Sequence, residues 1–211
     1  WGVAKCSESG TSQVSIEHAA IQRSRNALSP ELVHGMIAPF HYEQTQLGPV
    51  MLQPYHPPMS DGKLRFRMDC FRFQHPVLNW LRQVVAHTMG RADERQIKAQ
   101  FGHPLHSLAA DSAMSPEIHA ACEIAIARLD SGAWQPRTCL MHSDFWAGNL
   151  LKNKSKGSQW PFVVIDWAGA QAAGYPFVDL LRVSSSLCVR RNALQREIDR
   201  YAQVVGGSSA A

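Results

Sequence analysis

The sequence predicts an α+β fold in two lobes. Short strand-like runs gather in the first 56 residues, helical patterns dominate residues 75–130, and two further strands flank a polar turn near residue 155. The stretch HPPMSDGK (56–63) separates the halves, because Pro57, Pro58 and the Asp61-Gly62 pair resist regular structure. On that division residues 1–56 form a small sheet-bearing lobe with its connection, and residues 57–205 form a larger, mainly helical lobe. The small residues at 206–211 have the composition of a flexible tail.

Each element has a local reason. WGVAKC (1–6) alternates as a strand, with Val3 and Lys5 on one face and Ala4 on the other. After a Ser/Gly/Thr loop, residues 14–28 place Ile16, Ala20, Ala27 and Leu28 at helical spacing, with Thr11 or Ser12 available as cap. Ser29-Pro30-Glu31 has the order of a short helical start, serine capping and proline in the first position. Residues 35–55 read as two strands turning at Gly48-Pro49. Helices are expected over 75–89 and 116–130, with a less regular stretch between them. The second has Ser115 as cap, Pro116 first, and Ile118, Cys122, Ala125 and Leu129 along one face. TCLMH is a short strand; NLLKN and PFVVIDW are strands joined by NKSKGSQ into a hairpin. GYPFVDLLRVSSSL turns helical near Asp179.

Composition narrows the function. In 211 residues, 45% hydrophobic and 18% charged, there is enough apolar material for a buried core without disulfides or structural metal. A net charge of +4 with scattered Lys and Arg gives no basic stripe, so no nucleic-acid partner is expected. Five widely spaced cysteines without a C-x-x-C pair suit reduced thiols and a cytoplasmic location, and exclude a zinc ribbon. No apolar run is long enough to span a bilayer, so no membrane partner is expected either. The chain opens at Trp1 rather than Met, directly in a strand-like run, as though cut from something longer.

The chemistry concentrates in LMHSDFWAGNLL (140–151) and in the aspartate that ends the apolar run FVVID. An aspartate just past a strand is fixed by the sheet while its side chain emerges in a loop. Asp144 has that position, Asn149 follows five residues on, and Asp166 ends the next apolar strand. Two carboxylates and an amide oxygen are hard ligands that suit magnesium, whose shell is completed by water and phosphate oxygens. The set fits a phosphoryl-transfer site.

The order H-x-D-x-x-x-x-N, then a hairpin, then a strand-terminal aspartate is that of a kinase catalytic loop and its metal-binding aspartate. In HSDFWAGN and VIDWAGAQAAGYPFVDL the chain resembles the aminoglycoside phosphotransferase and choline kinase-like family, whose loop usually reads H-G-D-x-x-x-x-N and whose metal segment reads I-D-W. Trp167, where protein kinases carry Phe-Gly, favours the small-molecule branch. The resemblance implies a two-lobed protein-kinase-like fold with a truncated antiparallel-sheet lobe and a catalytic hairpin in the helical lobe. It implies ATP and Mg2+ as cofactors, and as partner a small-molecule hydroxyl acceptor such as a sugar, an amino alcohol or a related metabolite.

Residue by residue, the resemblance gives Asp144 the proton of the attacking hydroxyl and gives Asn149 and Asp166 the metal. His142 braces the loop, and Asp179 anchors its backbone. Lys5 contacts the nucleotide phosphates and pairs with Glu17, Val3 packs on the adenine, and backbone groups around Gln53 and Tyr55 meet the adenine edge. Lys5 and Glu17 also read as solvated charges, and Gln53-Tyr55 as an ordinary strand before a proline turn.

Ser143 stands at the family's usual glycine, and the family's first strands and glycine-rich turn do not precede Lys5. A second reading is therefore a catalytically silent kinase-like domain that binds nucleotide or scaffolds. A metal-dependent hydrolase finds no H-x-H or H-E-x-x-H spacing among the ten histidines. Downstream of Asp179 the arginines Arg182, Arg190, Arg191, Arg196 and Arg200 face only Glu197 and Asp199, which tilts the acceptor toward a neutral or anionic compound.

Overall fold

Helices and small antiparallel sheets alternate along the chain, the α+β class that the sequence predicts. The computed structural model describes residues 2–7, 12–155 and 157–206. The expectations for Trp1, for Thr11 and its loop, for Lys156 and for the tail beyond 206 lie outside these residues. In chain order the elements are β1 (Gly2–Cys6), α1 (Gln13–Asn26), α2 (Pro30–Val33), β2 (His41–Thr45), β3 (Gly48–Pro54), α3 (Lys63–Thr88) and β4 (Gly90–Arg91). There follow α4 (Glu94–Gln96), α5 (His103–Ala110), α6 (Pro116–Asp130), β5 (Arg137–Met141), β6 (Leu150–Lys152), β7 (Phe162–Val164), β8 (Gln171–Gly174), α7 (Val178–Ser186) and α8 (Arg191–Val205). They form two compact units, one reaching up to Met89 and resuming at Cys139, the other Gly90–Thr138.

In the larger unit β3 is the middle strand of a sheet ordered β1-β3-β2, antiparallel on both sides. Val3 pairs with Gln53 and Lys5 with Met51, and directly opposed residues share a face. The Ser12 hydroxyl caps α1 by accepting from the Ser15 N–H at 3.3 Å. The β2–β3 turn falls at Gln46-Leu47, two residues before the expected Gly48-Pro49, which open β3 instead. Thr45 closes that turn: its Oγ1 accepts from the Leu47 N–H at 3.2 Å and donates to the Gly48 carbonyl at 2.6 Å. Pro49 is tolerated because the pairing of β1 with β3 stops at Val50.

Helix α3 begins twelve residues before the expected 75, with Pro76 in its interior rather than its first turn. Packing overrides the lost hydrogen bond, since Cys70 and Phe73 continue the buried face of Val77, Trp80, Leu81 and Val84. The β6–β7 hairpin forms as predicted, Leu150 opposite Val164. It is tied to the segment after α2, where the Ile37 N–H donates to the Val164 carbonyl at 3.0 Å and the Val164 N–H to the Gly35 carbonyl at 2.8 Å. Its other strand is pinned by Lys152, whose ammonium meets Asp69 at 2.8 Å and donates to Ser60 Oγ at 2.6 Å. Phe145, Phe162 and Trp80 pack between these elements, the Trp80 and Phe162 rings edge-on at 5.9 Å.

In the smaller unit, Asp93 and Gln96 form a reciprocal capping box on α4, a π-helical turn (Ile97–Gly102) leads into α5, and α6 has the predicted Ser115 cap. Phe101 meets Trp134 edge-on at 5.6 Å. No helix among the described residues is long and apolar enough to cross a membrane.

The close approach of Gly35 to Trp80 is testable. A Cβ at Gly35 would lie 2.5 Å from the indole nitrogen, which donates to the Leu32 carbonyl at 2.9 Å. Gly35→Ala is expected to lower stability by about 1–3 kcal/mol through overpacking, read as a lower urea midpoint at unchanged m.

Candidate active site

One helix holds the loop that carries the motif. Asp179, Arg182 and Ser186 lie at i, i+3 and i+7 on α7 and so share a face. The buried Asp179 carboxylate accepts from the His142 N–H at 2.6 Å and from the Ser143 N–H at 3.1 Å. Arg182 donates to the Ser143 carbonyl and meets Asp144 Oδ1 at 3.0 Å. Ser186 Oγ accepts from the Ala147 N–H at 2.9 Å. Six consecutive loop residues, 142–147, are thus gripped at both ends from one side.

Within the loop His142 is buried and its tautomer is set by its partners. Nδ1 accepts from the Asp144 N–H at 3.3 Å, so the proton sits on Nε2 and points to the Ile165 carbonyl at 2.9 Å. Burial holds the imidazole below its ordinary pKa, against the pull of Asp166 and Asp144, so the ring is neutral. Trp167 meets it edge-on at 4.7 Å, which gives the tryptophan of the I-D-W segment a packing reason.

Asn149 is buried and commits its amide N–H groups to Asp144, reaching the backbone carbonyl at 2.8 Å and Oδ2 at 3.1 Å. Both partners are acceptors, so the amide orientation is fixed and its oxygen is the atom left to coordinate. The Ile165 peptide joins the two halves of the site: its N–H donates to the Asn149 carbonyl at 3.1 Å while its carbonyl accepts from His142. Asp166 follows directly and is exposed, its backbone left-handed at φ 63°, a conformation aspartate tolerates better than most residues. Asp144, Asn149 and Asp166 therefore hang from one hydrogen-bonded frame. Among the described residues no cluster of three or more His, Cys, Asp or Glu side chains exists, so a metal here would be held by an amide oxygen and carboxylates.

The residues expected to meet the nucleotide lie on the β1-β3-β2 sheet and α1. Lys5 Nζ reaches both oxygens of the buried Glu17 at 2.7 Å, an ion pair rather than two solvated charges. Gln53 is buried with Oε1 unpaired, on the face of Val3 and Lys5, whereas Tyr55 is exposed beyond the end of β3. The sequence marks Arg182 only as one of several charges and Ser186 not at all; the signal for both is their spacing from Asp179, legible only once α7 is known to be helical from Val178.

A family model described as the phosphotransferase enzyme family (APH) matches residues 52–207. The chain belongs to this family. The match takes in every candidate site residue of this phosphotransferase except Val3, Lys5 and Glu17. No curated protein matches it in sequence. Among solved structures it is similar to aminoglycoside phosphotransferase APH(3'')-Id from Streptomyces rimosus, in complex with ADP and streptomycin, at 13% identity and a TM-score of 0.49 over 99% of this chain and 81% of that one. The GDP complex of a point mutant of aminoglycoside 2'-phosphotransferase-IIIa aligns at 13% identity and a TM-score of 0.44, over 92% and 72% of the two chains.

Two expectations concern the loop. Ser143 is left-handed at φ 73° and its Oγ is buried without a partner. Ser143→Gly removes both penalties at the cost of extra freedom in the unfolded chain, and is expected to raise stability by about 1 kcal/mol in chemical denaturation. Burial pushes the carboxyl of Asp179 up to about 6, from 3.8, against its two N–H donors and Arg182. A raised carboxyl contributes stability that is full below about pH 4 and lost as pH rises through about 6. His142, held low, contributes in the opposite sense, losing stability as pH falls below about 6.5. The stability of the wild type minus that of Asp179→Asn should therefore fall by about 2–3 kcal/mol between pH 4 and 7, measured by urea titration at each pH.

Proposed function

We propose that this phosphotransferase transfers the γ-phosphoryl group of ATP to a hydroxyl of a small molecule, with Asp144 as the residue that orients the hydroxyl and takes its proton. The observation that carries the reading is the direct bond between Asn149 and Asp144 on a frame shared with Asp166 through the Ile165 peptide. In the transfer, the acceptor oxygen bonds to the γ-phosphorus as the bond to the bridging oxygen of ADP breaks, and the hydroxyl proton passes to Asp144. ADP departs with the bonding electron pair. His142, neutral and hydrogen-bonded on both nitrogens, keeps the loop backbone in place and is a positioning residue.

The donor set fits magnesium: Asn149 would supply an amide oxygen and Asp166 an exposed carboxylate, both hard ligands, with water and phosphate completing the shell. When bound, the ion supplies charge neutralisation on the nucleotide phosphates. Lys5, held by Glu17, meets those phosphates, and the strand end at Gln53-Tyr55 meets the base. In this reading residues up to 56 are the nucleotide lobe and hinge, and the residues from 57 the catalytic lobe. A cytoplasmic location accords with five widely spaced cysteines that form no C-x-x-C pair.

Asp144→Asn keeps the side-chain shape and one acceptor oxygen, enough for Asn149 or Arg182 but not both, and cannot take a proton. It is expected to lower the rate of phosphoryl transfer by about 10²–10⁴-fold while nucleotide affinity, read by calorimetry, stays within about threefold. Undiminished turnover would remove Asp144 from this role, and nucleotide binding without turnover in the wild type would favour the silent-domain reading.

A further inference from the structure

Both oxygens of the Asp144 carboxylate are engaged: Oδ2 accepts from Asn149 at 3.1 Å, and Oδ1 meets Arg182 at 3.0 Å. The Asn149 side is buried, so the Arg182 side is the one an acceptor can approach. Both side chains are about half exposed there, 47% for Asp144 and 51% for Arg182. A hydroxyl approaching Asp144 therefore arrives beside a guanidinium. Of its five N–H donors, one serves the Ser143 carbonyl and one the Asp144 carboxylate, which leaves further N–H donors of the planar fork for an incoming group.

Asp144 is the carboxylate paired with Arg182, and the acidic groups from Asp179 onward are otherwise engaged. Asp179 is buried and spent on two backbone N–H groups, and Glu197 is buried between Arg82 at 3.0 Å and Arg200. Asp199 accepts from Gln195 at 3.0 Å on the exposed side of α8. Among the described residues after Asp179 there is no free carboxylate row for a polycation.

We propose that Arg182 is a specificity-determining residue that selects an acceptor bearing an oxyanion, carboxylate or phosphate, next to the hydroxyl that becomes phosphorylated. This rests on the reading of Asp144 as the proton acceptor. The incoming oxyanion takes the guanidinium as a bidentate partner, and Oδ1 of Asp144 is released toward the hydroxyl in the same exchange. The bonds made and broken in transfer are those given above; Arg182 neither gains nor loses a proton. A polyamine acceptor at this position is repelled.

The test uses equilibrium binding, which does not depend on turnover. Glycerol, glycerate and glycerol 3-phosphate, then glucose, gluconate and glucose 6-phosphate, are titrated into the protein by calorimetry with magnesium ADP present, and streptomycin serves as the polycation. In at least one set the anion should bind about tenfold or more tighter than its neutral parent, and streptomycin more weakly than either. The carboxylate and phosphate arms distinguish the two oxyanions. Arg182→Gln should erase the gap by weakening the anion more than its neutral parent, and Arg182→Lys should restore part of it. Equal binding across both sets, preference for streptomycin, or a gap that survives Arg182→Gln overturns the proposal. ADP release with each compound is measured in parallel: an Arg182-dependent gap without any release sinks the kinase reading, whereas release without a gap sinks only the role given to Arg182.

Discussion

The site depends on one buried carboxylate that binds two consecutive backbone N–H groups. Asp179 accepts from His142 and Ser143 just where the chain leaves β5 and turns left-handed. Without that acceptor, two donors at the rim of the core would be orphaned, and nothing local would offset the strain at Ser143. The fold stabilises this contact at a cost, visible in the upward displacement of the Asp179 carboxyl by burial. The geometry downstream follows from it. A fixed His142 backbone fixes the ring, the ring fixes the Asp144 N–H and the Ile165 carbonyl, and the Ile165 N–H returns to Asn149.

Aromatic packing supplies the second support. Trp167 and Phe145 both touch the His142 ring, and Phe145 in turn packs on Trp80 of α3. The loop is therefore clamped between the polar face of α7 and an apolar wall from α3 and the hairpin. Because the hairpin also bonds to residues 35–37, strand β7, two residues before Asp166, is connected by backbone hydrogen bonds to the segment leading into β2 and β3.

Much of this was legible in the sequence, because its determinants are local. The spacing of His142, Asp144 and Asn149 lies within one loop, and the α6 cap and the β6–β7 hairpin carry short-range signals. Lys5 and Glu17 were legible as residue types in the right order, but their pairing required α1 to lie on the sheet face shared with Met51. What escaped has physical reasons. The first turns of α3 were hidden by Pro76, which reads as a helix start yet sits mid-helix because one buried face runs through it. Strand β8 is QAAG, too short and too small-sided to alternate. The β2–β3 turn was drawn to Gly48-Pro49, although Thr45 supplied the closing bonds. Arg182 and Ser186 carry no motif; only helical phase sets them beside Asp179.

That phase has a mechanical consequence. Three side chains from little more than two turns of a single rod hold the loop at its start, its middle and its end, so loop and rod behave as one lever. A slight roll of α7 about its own axis would swing the carboxylate of Asp144 sideways without breaking any of the three attachments. Whatever leans on the exposed side of that rod, at Leu181 or Ser185, thus gains a handle on the orientation of the Asp144 side chain without touching the loop.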